Sequence, residues 1–432
     1  MTGGRAVSTA RALSMGAVAA VAAPFVLPLG PDDPCRGTLI ALPLILACFT
    51  ALGNWAIASG GRPTPQGALL AEWVSLAVLI LSALGRDHLG LLGNPAILDG
   101  VLASGFLLLL GHRALRILIA LRPLLEEPGQ KRPSMAFFFL PLLVYLAVLP
   151  WSSFHHAPDG DEPHYLLLTH SLAYDLDTDL ANNSAQGDSL AFMGRSLEPQ
   201  LGDPVGPNGE MYSRHNVLLP LALAPTYRVA GVGGVLVAMA ALAAALVWAT
   251  LGLAMAYRLV NPAGALWAYG ILAFTAPLLL YSYQVWVEVP AALLTVLALT
   301  LILRAADERS HSWSTWVRIG LPILVLPFLK IRFVLLAGSL VLLASWYAGG
   351  RQARRRTALL LALLGGVTAS ILLFNRFFFQ NPLKYHDIDG LRAYAQTPMT
   401  YLKGFLGLFY DCAFGLFAFA PIWLLILPAF LL

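Results

Sequence analysis

Apolar runs of about 20 residues recur along the whole chain, separated by short polar stretches. A helix that long crosses a bilayer core of about 30 Å. The pattern predicts spans over 12–30, 38–59, 67–85, 99–121, 134–151, 231–257, 263–283, 286–305, 317–330, 332–349, 357–375 and 414–432. The run 317–330 is short for a straight crossing. The expected fold class is all-α: a polytopic membrane helix bundle of about 12 spans, with surface helices on one face. The first apolar run is read as a span, not a cleaved leader. "PLGPDDP" is a poor small-residue cleavage site, and further spans follow.

Basic residues set the orientation. Arg5 and Arg11 precede the first span. Arg113, Arg116, Arg122, Lys131 and Arg132 precede the fifth, and Arg304, Arg309 and Arg318 surround "RAADERSHSWSTWVR". The run "RQARRR" (351–356) precedes the eleventh. A cytoplasmic N-terminus puts all four groups on one side and the segments 152–230 and 376–413 outside. A plasma (inner) membrane protein with its chemistry on the periplasmic or extracellular face is expected. Residues 1–130 read as an N-terminal extension of spans with few polar residues. Residues 131–432 read as the functional module. In the outer segment, "EPHYLLLTHSLAYDLDTDL" predicts a mostly apolar helix lying along the membrane surface, with Pro163 in its first turn. "NVLLPLALAPTY" (216–227), with Pro220 and Pro225, reads as a separate half-buried element leading into the sixth span.

Composition sharpens this picture. The chain is 58% hydrophobic and 12% charged, about half the charge of a soluble protein. Its mean hydropathy is +0.72. Cys35, Cys48 and Cys412 have neither metal-ligand nor redox spacing. No nucleic-acid partner is expected; membrane lipids are.

The densest acidic cluster, "PDGDEPHY" (158–165), sits at the mouth of the fifth span. At a helix starting near Pro163, Asp161 or Glu162 meets backbone N–H groups that favour the ionised carboxylate. Such a carboxylate suits a general base that takes a proton from an acceptor hydroxyl. A plain N-cap explains the same spacing. In "DLDTDLANNSAQ" the start resembles a calcium loop, but Leu180 replaces the Gly and Gln186 the closing Glu. A solvated polar turn is the simpler reading. No cofactor is required; a divalent cation shared with Asp161 or Glu162 stays an alternative. His155, His156, His164, His170, His215 and His386 lie in outer segments without a zinc-like helical spacing, so no metal ligand is assigned.

Glu288, near the outer end of the eighth span, should face protein or an aqueous cavity, as substrate contact or as a partner of a neighbouring helix. Lys330 and Arg332 lie where "VLPFLKIRFVLLAG" turns at the outer face. Cations there suit a lipid-linked phosphate, and their place on the outer side, where positive charge is under-represented, favours that reading over snorkelling to headgroups.

Five blocks, "GDEPHYLLLTHSLAYDLDTDLANN", "MYSRHNVLLPLALAPTY", "YSYQVWVEVPAALL", "LPFLKIRF" and "YDCAFGLFAFAPIWLL", fall in order across residues 160–425. Together they resemble the GT-C superfamily of polyprenyl-phosphate-sugar-dependent glycosyltransferases. The protein O-mannosyltransferases and the lipid A aminoarabinose transferase belong to that superfamily. The resemblance implies inverting transfer of a sugar from a polyprenyl-phosphate donor to a lipid, glycan or protein acceptor, in an outer cavity. It implies Asp161 as catalytic base with Glu162 as its partner, and Lys330 and Arg332 at the donor phosphate. His164, Tyr165, Tyr212, His215 and Glu288 become substrate contacts. "YSRH" (212–215) falls roughly where the mannosyltransferases carry a His-Pro element, but Asn216 follows His215 here. The four spans before the catalytic loop also depart from members in which that loop follows the first span. A transporter or flippase of lipid-linked saccharide is the alternative. It would place ionisable residues near the bilayer midplane, in repeated halves.

Overall fold

The computed structural model describes residues 133–155, 157–197, 209–310, 312–348, 350–379 and 398–410, with single residues 382 and 416. The predicted spans over 12–121 and 414–432 lie outside these, Leu416 (a part of the last) excepted. The described residues are mostly helical and contain no strand, only an isolated bridge between Asp179 and Tyr212. The helices are α1 (Ala136–His155), α2 (Glu162–Tyr174), α3 (Ala181–Gln186), α4 (Leu190–Met193), α5 (Leu218–Ala256) and α6 (Pro262–Phe274). They continue with α7 (Leu278–Tyr281), α8 (Glu288–Asp307), α9 (Trp313–Leu329), α10 (Val334–Ala348), α11 (Gly350–Phe379) and α12 (Pro398–Tyr410).

Among the described residues, three stretches are long and apolar enough to cross a membrane: Leu218–Ala256, Glu288–Asp307 and Gln352–Phe379. Shorter apolar helices accompany them. Leu335, Leu342, Trp346, Leu373 and Phe377 are exposed on these helices. Such large apolar side chains on many helical faces suit lipid better than water.

Several boundaries correct the sequence expectation. The seventh run stops as a helix at Phe274, because Pro277 disfavours helical geometry at Ala276. Only the short α7 follows. The ninth run starts earlier, at Trp313: Ser312 is its N-cap, accepting the Thr315 N–H at 3.2 Å. The "RQARRR" run is helical and belongs to the first turns of α11. Residues 216–227 do form a separate helical piece from Leu218 onward: the backbone breaks at Ala230 and Gly231, between this piece and the following span, and α5 counts both pieces together. Pro220 lies in the first turn, where no helical hydrogen bond is lost, and Pro225 is accommodated within the helix. Gly231, at φ 56° and ψ −145°, occupies backbone space reached almost only by glycine.

The described residues form two compact units. One comprises 133–155 and 254–270; the other comprises the rest. In the first, Phe137, Leu140 and Tyr145 are fully buried on α1. The Tyr269 hydroxyl donates to the Phe137 carbonyl at 2.9 Å, and the two rings meet edge to face.

In the second unit, α8 packs on α9 and α10, and α11 packs on both of those. Gly320 on α9 permits a close approach: an added Cβ would stand 2.7 Å from a Leu360 methyl on α11. Small residues let membrane helices meet this way. The segment between α1 and α5 has its own core of Leu167, Leu168 and Leu180, flanked by Leu172, Phe192, Met211 and Val217. α2 was expected on the membrane surface, but it is buried by protein along ten of its 13 residues. Its apolar side chains pack inward.

Candidate functional site

The acidic turn before α2 is built around Gly160. Its φ of 61° favours glycine, and an added Cβ would meet the Trp286 ring edge at 3.2 Å. Asp161 then occupies the N-cap of α2, but its side chain does not cap the helix. Instead Asp161 Oδ2 accepts from Lys330 Nζ at 3.1 Å and stands 3.8 Å from His215 Nδ1. Burial pushes the Asp161 carboxyl up, but His215, the hydrogen bond and charge of Lys330, and His164 outweigh it. The group is held below its ordinary value and is ionised near neutrality.

Glu162 has a different environment. It is buried, its Oε1 accepts the Val285 N–H at 2.5 Å, and its Oε2 accepts the Asp159 N–H at 3.4 Å. Burial raises its pKa and the negative Asp159 adds to the rise, while the two backbone hydrogen bonds oppose it. Glu162 therefore ties the start of α2 to the segment leading into α8. Its carboxylate is turned to backbone donors, away from the Lys330 pair.

His215 is buried, stacks on His164 with ring centroids 5.4 Å apart, and lies 4.8 Å from the Tyr165 ring. These rings form the wall behind Asp161. Burial raises the Tyr165 pKa; the charges of Asp161 and Glu288 add to the rise and Arg332 opposes it. Tyr165 thus feels both acid–base pairs. In the second pair, Arg332 binds Glu288, and its guanidinium lies 5.3 Å from the Phe333 ring centre. Lys330 and Arg332, expected as cations awaiting phosphate, are each neutralised by a carboxylate. Glu288 makes its bond to a neighbouring segment through one oxygen; the other, Oε2, is buried with no hydrogen-bond partner.

Tyr212 is placed elsewhere. It bridges to Asp179, and its ring packs edge-on against Phe378 and Phe379 near the end of α11. Asn216, which the sequence showed only as a departure from a His-Pro pattern, has a definite task. Its amide donates to the Phe328 carbonyl at 3.1 Å and the Pro327 carbonyl at 3.4 Å. The last carbonyls of a helix have no intrahelical donor. Asn216 thereby caps α9 and fixes the point from which Lys330 projects.

The other acids are structural. Asp177 accepts from Ser171 Oγ and the Asp179 N–H, and Asp179 accepts from the Ala181 and Met211 N–H groups. Asp175 and Asp188 bind the amide of Asn183. The calcium-like spacing holds a solvent-exposed polar turn that is also internally bonded. Among the described residues no group of three or more His, Cys, Asp or Glu is arranged to hold a metal ion.

The site is a half-buried, charge-compensated cluster. It offers two carboxylates, each paired with a cation, and a histidine–tyrosine wall. Such a set can exchange a carboxylate partner for an incoming oxyanion and free an acceptor for a hydroxyl proton. No protein-family model, curated protein or solved structure matches this chain.

Proposed function

We propose that this protein is an integral membrane glycosyltransferase of GT-C type, with about 12 spans and its active site on the outer face of the plasma membrane. It moves a sugar from a polyprenyl-phosphate donor to a hydroxyl or amine of a lipid, glycan or protein. The observation that carries this reading is the Asp161–Lys330 contact of 3.1 Å, with Glu288–Arg332 on the adjoining segment.

The pairs give the mechanism its order. The donor phosphate binds Lys330 and Arg332, displacing their carboxylates. Asp161, no longer neutralised by Lys330, becomes a stronger base and takes the acceptor's proton. The acceptor oxygen or nitrogen attacks the anomeric carbon as the bond to the phosphate oxygen breaks, with inversion. Lys330 and Arg332 hold the departing polyprenyl phosphate. His164, Tyr165 and His215 orient the sugar and keep Asp161 in place.

The test is transfer or hydrolysis of a panel of radiolabelled polyprenyl-phosphate sugars by the purified protein in lipid, with Asp161→Asn alongside and with a chelator arm. One donor turned over by wild type, and lost in Asp161→Asn with folding intact, supports the reading. Turnover of no donor by the folded protein, with an acceptor mixture present, overturns it and favours transport.

A further inference from the structure

A second polar cluster lies where α9 and α11 begin. Arg356 is 7% exposed, and its guanidinium lies 5.0 Å from the Trp313 ring centre. Gly320 meets Leu360 further along the same two helices. Contacts 313 with 356 and 320 with 360 rise together in number, so the two helices run parallel here. Trp316 falls between those contacts, one turn from each on α9.

Three polar atoms on these two helix stretches are buried with no hydrogen-bond partner: Arg356 Nη1, Trp316 Nε1 and Thr357 Oγ1. Trp316 is 3% exposed and Thr357 6%. A guanidinium and an indole only donate, and a threonine hydroxyl can donate. Buried donors are ordinarily satisfied, so three together need an acceptor. Among the described residues no acid forms an ion pair with Arg356. Arg318, Arg354 and Arg355 are exposed around it. Parallel helix starts add positive potential at the same end. Trp313, 60% exposed, covers the guanidinium from the outside. Val317, Leu321, Leu359 and Leu363 continue from it as exposed apolar positions.

We infer that Arg356, Trp316 and Thr357 form a binding site for a phosphate oxyanion, with Trp313 as its movable cover. The apolar surround and the basic run favour the headgroup of an anionic phospholipid as its source. This site is independent of the Asp161 cluster and of the transferase reading.

The test uses the full chain in detergent micelles, titrated with short-chain phosphatidylglycerol, its phosphate-free diacylglycerol twin and inorganic phosphate. Bound lipid is read by native mass spectrometry. Phosphatidylglycerol should be retained and diacylglycerol should not. Arg356→Gln should weaken retention roughly tenfold or more, as expected for a hydrogen bond to a charged group. Trp316→Phe and Thr357→Val should each weaken it severalfold, and Arg195→Gln, on the outer segment, should leave it unchanged. The two conservative variants keep the test valid if Arg356→Gln does not fold. Competition by inorganic phosphate would support the oxyanion site with a soluble source; no competition would support the lipid source. Equal retention of both lipids, or unchanged retention in Trp316→Phe and Thr357→Val, overturns the inference.

Discussion

The carboxylate of Asp161 meets the ammonium of Lys330 at 3.1 Å, between residues 169 positions apart in the chain. Asp161 stands at the N-cap of α2 and Lys330 at the C-cap of α9, so the pair fastens the start of one helix to the end of another. It also stores a cation and an anion together in the resting site.

Removing one partner leaves the other half-buried and uncompensated. Lys330→Met should lower stability by about 1–3 kcal/mol, the cost of leaving one polar partner unsatisfied. Thermal unfolding in micelles checks this. The double variant Asp161→Asn with Lys330→Met should cost less than the sum of the two single variants. A fully additive pair of effects would mean that the contact contributes nothing.

The two neighbouring acids should respond to pH in opposite senses. Asp161 is depressed below its ordinary value of 3.8, so its contribution is present above that pH and lost as pH falls further. Glu162 is raised above its ordinary value of 4.5, so the folded state binds the extra proton and stability declines as pH rises through the window above 4.5. Glu162→Gln retains an oxygen for the Val285 N–H. It should therefore remove that decline and match or exceed wild-type stability at neutral pH. A melting temperature well below wild type at neutral pH in Glu162→Gln would refute the assignment.

Asn216→Ala should release the end of α9. The loss of two amide hydrogen bonds to terminal carbonyls should cost roughly 1 kcal/mol. Because Lys330 directly follows the capped turn, transfer should fall further than this stability loss alone explains, and donor binding should weaken. Unchanged donor binding would show that the cap does not position Lys330.

Long apolar runs made the helices around Val144, Val296 and Val341 legible from sequence, because hydropathy alone specifies them. Their ends were less so. The start of α9 depends on the Ser312 cap, and the break in α5 depends on a glycine dihedral at Gly231, not on the more conspicuous Pro225. Asp161, Glu288, Lys330 and Arg332 stood out because charge is scarce in this chain. Their pairing did not, since it joins residues far apart in sequence. The different environments of Asp161 and Glu162 were equally hidden: adjacent acids look alike until one turns toward Lys330 and the other toward the Val285 backbone. Asn216 gave no signal of its own because its partners are backbone carbonyls on another helix.

The interruption at Ala230 and Gly231 gives α5 an elbow. An unbroken rod of 39 residues would act as a lever, and any tilt of its apolar shaft would swing the loop that carries His215 and Asn216. With the elbow, the forearm from Leu218 is tied by Asn216 to the end of α9, and the shaft beyond Gly231 takes its own direction. The spacing between His215, Asp161 and Lys330 is thereby set by the forearm and its tie, whatever line the shaft follows.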